Sequence, residues 1–341
     1  MPGRHTTTRR RSRAGPIFSA VVAVAVIVAL GVYLAPRLTD EGEDGDCQGT
    51  EQIAIAAPAE LSRPIDATVR TMLEKSGSGS CVSVDVSTVH PDSSLGRIAS
   101  RAKPTATVWI LDSSARLAEL ESNVRPRIEV VGKAAETPII LVASRTTSQS
   151  PPSSWRDAFA SNDFYMHAPS NSKPESLFAL AALAAEDPNT DLTAILTDVV
   201  ERIDALNEEL PRNSRLIRQS QKEFGPARLF PVTEQNYARA SNNHTDWQLT
   251  PLLPLTGTVI LDYPIVVRDD TDRAAVDTAE QLTEFVATPS GNSALATAGF
   301  RVPNGRILNT AAYTEPYEVF PTPAGLRELM GAWSEAQAAA S

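Results

Sequence analysis

The stretch IAIAAPAELSRPIDATVRTMLEKSGSGSCVSVDVS, residues 53–87, sets two short apolar runs on either side of a helical pattern. Residues 53–57 and 81–87 are short and rich in Ile, Val and Ala, and they read as strands. Between them, from Pro64 onward, Ile65, Val69, Met72 and Leu73 recur on one helical face. The pattern then repeats. A short helix near residues 95–102 leads to TVWIL at 107–111, and the apolar run PIILVAS follows at 138–144. Strands alternating with helices predict a parallel α/β sheet covered on both faces. Small residues after the strand ends mark the carboxyl edge, where open α/β sheets bind ligands.

The proline- and serine-rich segment TTSQSPPSS at 146–154 interrupts this pattern and opens a second unit. The unit reads as a short helix at 155–159, a strand DFYMHA at 163–168 and a helix over 175–185 behind the turn PSNSKP. An amphipathic helix over 192–210 carries Leu192, Ile195, Val199, Ile203 and Leu206 at helical spacing. A strand near 229–232 precedes Thr233-Glu234-Gln235-Asn236, and GTVILDYPIVVR at 257–268 is a long β segment. Helices over 275–287 and 291–298 follow, with a stop at Gly299. The roughly 300 residues beyond residue 36 suit two lobes of about 150 each.

Charge divides the chain unevenly. The 341 residues carry 31 Lys+Arg and 41 Asp+Glu, a net charge of −10. Arg4, Arg9, Arg10, Arg11 and Arg13 precede an uncharged run over 14–36, so the remainder carries about −15. At 1.5 Å per residue that run is long enough to cross a bilayer core of roughly 30 Å, and the basic flank orients it N-in, C-out. The competing reading is a cleaved signal peptide. A cut after Ala35 would put bulky Tyr33 upstream and Pro36 just past the scissile bond, and no lipobox precedes Cys47, so an uncleaved anchor is expected. Residues 37–51 are acidic and glycine-rich and read as a solvated stalk. The two cysteines, Cys47 and Cys81, flank the first strand and helix. Outside the membrane a single structural disulfide is the economical reading, with two free thiols the alternative. Closing a loop of that length is worth about 4 kcal/mol in the chain-entropy model.

Several function classes are excluded by what the chain lacks. Two cysteines and four scattered histidines leave no ligand set for structural zinc, and His90, His167 and His244 have no metal-ligand spacing. No G-x-S-x-G elbow, H-E-x-x-H, P-loop or dinucleotide fingerprint occurs, so neither an enzyme nor a cofactor is expected. An acidic body without a basic stripe argues against nucleic acid. Trp109, inside an apolar strand, reads as core.

Three segments carry a resemblance. VWILDSSARLAEL (108–120), FPVTEQNYARA (230–240) followed by LPLTGTVILDYPIVV (253–267), and EFVATPSGNSALATAGFRVPNG (284–305) together resemble an actinobacterial family of membrane-anchored extracellular solute-binding proteins. That family is similar to type II periplasmic binding proteins of the molybdate-binding kind. The resemblance implies an α/β, two-lobed type II periplasmic-binding-protein fold behind a single N-terminal transmembrane helix. PIILVAS would carry the chain out and LDYPIVVR would bring it back. Residues 52–143 plus 262–341 would form lobe 1, and 144–261 lobe 2. Such relatives often carry a von Willebrand A domain behind the binding part, and none is expected here. Asp112-Ser113-Ser114-Ala115-Arg116 lacks the DxSxS spacing of a metal-adhesion motif.

Four segments and one tyrosine would then face the cleft. Pro58, Ala59 and Glu60 follow the first strand and open the first helix, either as ligand contacts or as a plain strand-to-helix turn. Ser113 and Ser114 could donate to a ligand, with Asp112 the safer choice as a helix cap. Ser170, Asn171 and Ser172 precede a helix start and could hold an anion or carboxylate, or form an ordinary turn. Thr233 and Glu234 are contacts, or the capping box of a surface helix. Tyr263 leans into the cleft or packs in the hinge. The expected function is capture of a small ligand between two lobes by a monomeric ectodomain that a transporter permease or sensory membrane partner reads. The alternative is a cell-envelope interaction protein that keeps the bilobal fold without ligand capture.

Overall fold

The computed structural model describes residues 51–76, 82–100, 106–114, 116–117, 128–144, 150–169, 174–186, 191–209, 229–243, 249–301 and 322–340. The apolar run at 14–36, the acidic stretch before residue 51 and both Cys47 and Cys81 lie outside these residues. Among the described residues no helix is long and apolar enough to cross a membrane.

The opening stretch forms β1 (Glu51–Ala57), α1 (Ala59–Ser76) and β2 (Val82–Thr88). The two strands pair in parallel, from Glu51 against Val82 to Ala57 against Thr88. The helix starts five residues earlier than the periodicity places it. The Pro58 carbonyl accepts from the backbone N–H of both Leu61 and Ser62. Pro64 then falls inside the helix, where it has no N–H to give the Glu60 carbonyl. Ile65, Val69 and Met72 are buried as the spacing requires.

The strand β3 (Val108–Ile110) lies parallel to β1 on the side away from β2. Beyond it the expected all-parallel sheet gives way to a mixed one. The long strand β4 (Ile128–Ser144) and the returning strand β7 (Ile260–Arg268) run antiparallel to each other, and β7 is antiparallel to β3. The path of the sheet is β2-β1-β3-β7-β4-β5. Residues 128–138 of β4 pair with β7, whereas 139–144 pair with β5 (Leu229–Thr233) and β6 (Leu249–Leu252). The chain therefore leaves the β1–β3 region and returns to it through two neighbouring strands. Two register shifts kink β4, between Val130 and Gly132 and between Lys133 and Ala135.

Helices cover the sheet: α2 (Pro91–Ala99), α3 (Trp155–Ala160), α4 (Pro174–Glu186), α5 (Leu192–Glu209), α6 (Glu234–Asn243), α7 (Arg273–Val286), α8 (Ser293–Thr297) and α9 (Pro323–Ala340). Residues 163–168 are not a strand; Phe164 makes only an isolated bridge to Leu229. From Ser176 to Leu183 every residue of α4 is buried. A helix apolar all round needs cover on every side. Strands β4 and β5 supply one side, and α3 and α9 others. The last helix, α9, packs against α4 and α5, which bury its apolar stripe of Leu326, Leu329, Trp333 and Ala336.

Candidate ligand-binding cleft

A cleft of about 570 Å³ opens at the carboxyl ends of β1 and β2, facing the start of α6. One wall is the first turn of α1, with Glu60 and Arg63, together with Thr88 from the end of β2. The facing wall is α6, which presents Gln235, Arg239 and Asn242 at spacings of four and three residues, a single helical face. Thr297 and Ala298, at the end of α8, close one side.

Gln235 is held by two hydrogen bonds. Its backbone N–H donates to Thr137 Oγ1 at 3.1 Å, and its Nε2 donates to the Ala298 carbonyl at 3.2 Å. Its Oε1 is buried without a hydrogen-bond partner. Because Nε2 is committed to a carbonyl, the amide orientation is fixed and Oε1 remains an open acceptor. Gly299 completes the approach. At φ +90° it occupies the left-handed region, and a Cβ there would lie 3.0 Å from the Ala238 Cβ.

Charge is concentrated around Glu60. Burial raises the pKa of its carboxyl, the bond from its own backbone N–H opposes that rise, and Asp112 adds to it. Arg239 draws the pKa down and Glu175 adds a smaller rise. The same groups surround Tyr263, which is 3% exposed and packs edge-on to Phe300 at 5.3 Å. Burial first, then Glu60, Glu175 and Asp112, push the Tyr263 hydroxyl well above the ordinary phenol range, so it stays protonated. Glu175 accepts from Asn236 Nδ2 at 3.1 Å, and Asn236 Oδ1 accepts from Arg239 Nη2 at 3.0 Å.

Of the residues expected to contact a ligand, Ala59 and Glu60 line the cleft and Pro58 lies buried just before them. Both carboxylate oxygens of Asp112 accept from Arg116, at 2.8 Å from Nε and 3.2 Å from Nη2. Ser113 is fully buried with an unpartnered Oγ, and the Ser114 N–H donates to Asp262 Oδ1 at 3.3 Å. Neither serine is on the cleft wall. Ser170, Asn171 and Ser172 lie outside the described residues. Thr233 and Glu234 are engaged elsewhere. Thr233 Oγ1 accepts from the Asn236 N–H at 3.1 Å and so caps α6, and the Glu234 carboxylate is gripped by Arg301 at 2.9 and 3.2 Å.

The facing wall begins in the expected segment 233–236, but on residues other than the Thr233 and Glu234 singled out there. Gln235, Arg239 and Asn242 are polar residues at i, i+4 and i+7, and that spacing behind a strand is a signal that marks one polar helix face. What the walls offer is directed hydrogen bonds and charge from two separate parts of the fold, which is the equipment of a binding site.

Residues 53–301 match the profile of the bacterial extracellular solute-binding protein family. The chain belongs to this family. No curated protein matches it by sequence. Among solved structures of extracellular and periplasmic binding proteins it is similar to the ferric binding protein of Campylobacter jejuni, at 15% identity and a TM-score of 0.62, covering 83% of this chain and 99% of that one. Iron-bound HitA from Pseudomonas aeruginosa gives 13% identity and a TM-score of 0.58 over 84% and 99%. A periplasmic thiamin binding protein gives 14% and 0.56 over 86% and 97%. At such identities the likeness is one of fold: two lobes, mixed α/β. Members of a solute-binding family act by capture rather than by catalysis, which agrees with a cleft built from hydrogen-bonding and charged groups.

Proposed function

We propose that this protein is a membrane-anchored extracytoplasmic receptor that captures a small solute between two lobes and hands it to a membrane partner. The observation that carries the reading is the cleft itself, where Glu60 and Arg63 on α1 face Gln235, Arg239 and Asn242 on α6. Those walls hang from opposite ends of the β4/β7 pair, so a ligand touching both favours the closed arrangement over the open one. The structural neighbours, which include ferric and thiamin binding proteins, support a solute as the occupant. The family makes an ABC permease the natural partner, with a sensory membrane protein the other candidate. The uncharged run at 14–36 behind five arginines supports the anchor, and Cys47 and Cys81 support an extracytoplasmic disulfide. Lobe 1 is built on β1 to β3 and lobe 2 on β5, β6 and α3 to α6.

The test is a thermal-shift screen of the purified full chain against oxyanions such as molybdate, ferric iron, amino acids, amines and sugars. A ligand at 100 times its Kd should stabilise the fold by about 2.7 kcal/mol. Stabilisation by any one class supports capture; none by any class favours a cell-envelope role for the surface instead. Anchoring is checked separately, by retention of the chain in carbonate-washed membranes.

A further inference from the structure

We infer that the solute presents a protonated amine, whose N–H groups are received by the Glu60 carboxylate and Gln235 Oε1. The inference rests on the capture reading above and narrows it to a chemical class. Glu60 and Gln235 both line the same cleft, one from each wall. Gln235 is 2% exposed and its Oε1 has no protein partner, while its Nε2 is spent on the Ala298 carbonyl. An open buried acceptor calls for a donor, and an anion has none to give. Glu60 has no salt bridge among the described residues, and its own backbone N–H only partly offsets the effect of burial on its carboxyl. Of the other carboxylates around it, Asp112 is neutralised by Arg116, and Glu175 is bonded to the neutral amide of Asn236. An ammonium group would therefore gain a counter-ion and a directed acceptor at once. An oxyanion at the same place would meet a carboxylate and a carbonyl-type oxygen, and both repel it.

The remaining polar groups complete the specification. Arg63 and Arg239 lie on the cleft wall with donors to offer, so an acceptor or carboxylate elsewhere on the ligand has a place to go. The volume of about 570 Å³ lies in the range that holds small organic molecules.

The experiment is calorimetric and thermal-shift titration of the full chain with ethanolamine, putrescine, glycine and lysine. Tetramethylammonium serves as a cation without N–H donors, and sulfate, molybdate, ferric citrate and glucose as the other classes. At least one amine is expected to bind, with tetramethylammonium about tenfold weaker or more. Glu60→Gln is expected to weaken that amine about tenfold or more while the unliganded variant still melts cooperatively, and Gln235→Leu should weaken it less. Amine affinity should fall as pH is lowered through the Glu60 pKa, with Asp112, Glu175, Tyr263 and Arg239 facing the group throughout. Binding of sulfate, molybdate, ferric iron or glucose with no amine binding would overturn the amine while leaving solute capture standing. Oxyanion affinity that rises on acidification would overturn it the same way, because a protonated Glu60 would then be a donor. Amine binding unchanged in Glu60→Gln would place the amine elsewhere and overturn it. No binding by any compound would overturn both readings.

Discussion

Glu60 shows how a binding residue differs from a structural one. Its carboxyl pKa is raised because burial disfavours the ion, so an unliganded fold at neutral pH carries an unfavourable charge. The sign follows from linkage. A carboxyl whose pKa is higher folded than unfolded adds stability when protonated, and that contribution is lost as pH rises through the folded value. Glu60→Gln is therefore expected to raise the Tm of the unliganded chain at neutral pH and to flatten its dependence on pH just above the ordinary carboxylate range. A Tm that drops instead, in melts recorded across that window, would mean that the charge is compensated in the free protein. Glu60 was legible in the sequence because it follows the first strand and opens the first helix, a position that topology alone brings to the carboxyl edge. Gln235 and Arg239 carry a weaker signal, since their spacing marks a polar face of α6 but does not say that this face, rather than solvent, meets α1. The pairing of Glu234 was not legible, because its partner Arg301 lies 67 residues away and only the folded chain brings the two together.

Among the elements, α4 sets the demand that others meet. Its residues from Ser176 to Leu183 are all buried, and α9 closes over it with Leu326, Leu329, Trp333 and Ala336. Trp333 is 3% exposed, and Trp333→Ala should cost about 3–5 kcal/mol, measured by denaturant unfolding. A cost within 0.5 kcal/mol would mean that α9 is dispensable to the core. Gly132 marks a second close contact. It sits at a register shift in β4, and a Cβ there would lie 2.2 Å from Thr283 Cγ2 on α7. Gly132→Ala should cost about 1–3 kcal/mol, and Thr283→Ala in the same chain should recover part of it. Helical periodicity found α4, α5 and α7 to within a few residues. The N-terminal half of β4 escaped because the two register shifts, at Gly132 and Ala135, break the alternation that betrays a strand. The antiparallel course of β4 and β7 escaped too, since apolar runs look alike whichever way a strand is paired.

At the scale of the molecule, the two cleft walls are joined by more than the crossing strands. Arg301 exchanges backbone hydrogen bonds of 2.8 Å with Glu136 on β4, and its guanidinium grips Glu234 at the start of α6. The segment that carries Arg301 follows α8, which packs on α1. The pair thus ties the α1 side to the α6 side, and neither residue lines the cleft. Glu234 is 2% exposed, so Arg301→Met would leave a buried carboxylate without its cation and should cost about 3 kcal/mol. Adding Glu234→Leu should return most of that loss, and a double-mutant cycle would measure the coupling. Closure on a ligand can then turn about the kinked β4 and its neighbour β7 while this tie holds the base of the cleft together. Spin labels on Arg70→Cys of α1 and Glu201→Cys of α5 would report it, because both positions are exposed and neither lines the cleft. A saturating ligand should shorten and narrow the distance between them, and Arg301→Met should broaden the unliganded distribution without preventing the shortening. A distance that ligand leaves unchanged would mean that the walls stand closed already, with binding limited by entry to the cleft rather than by closure about it.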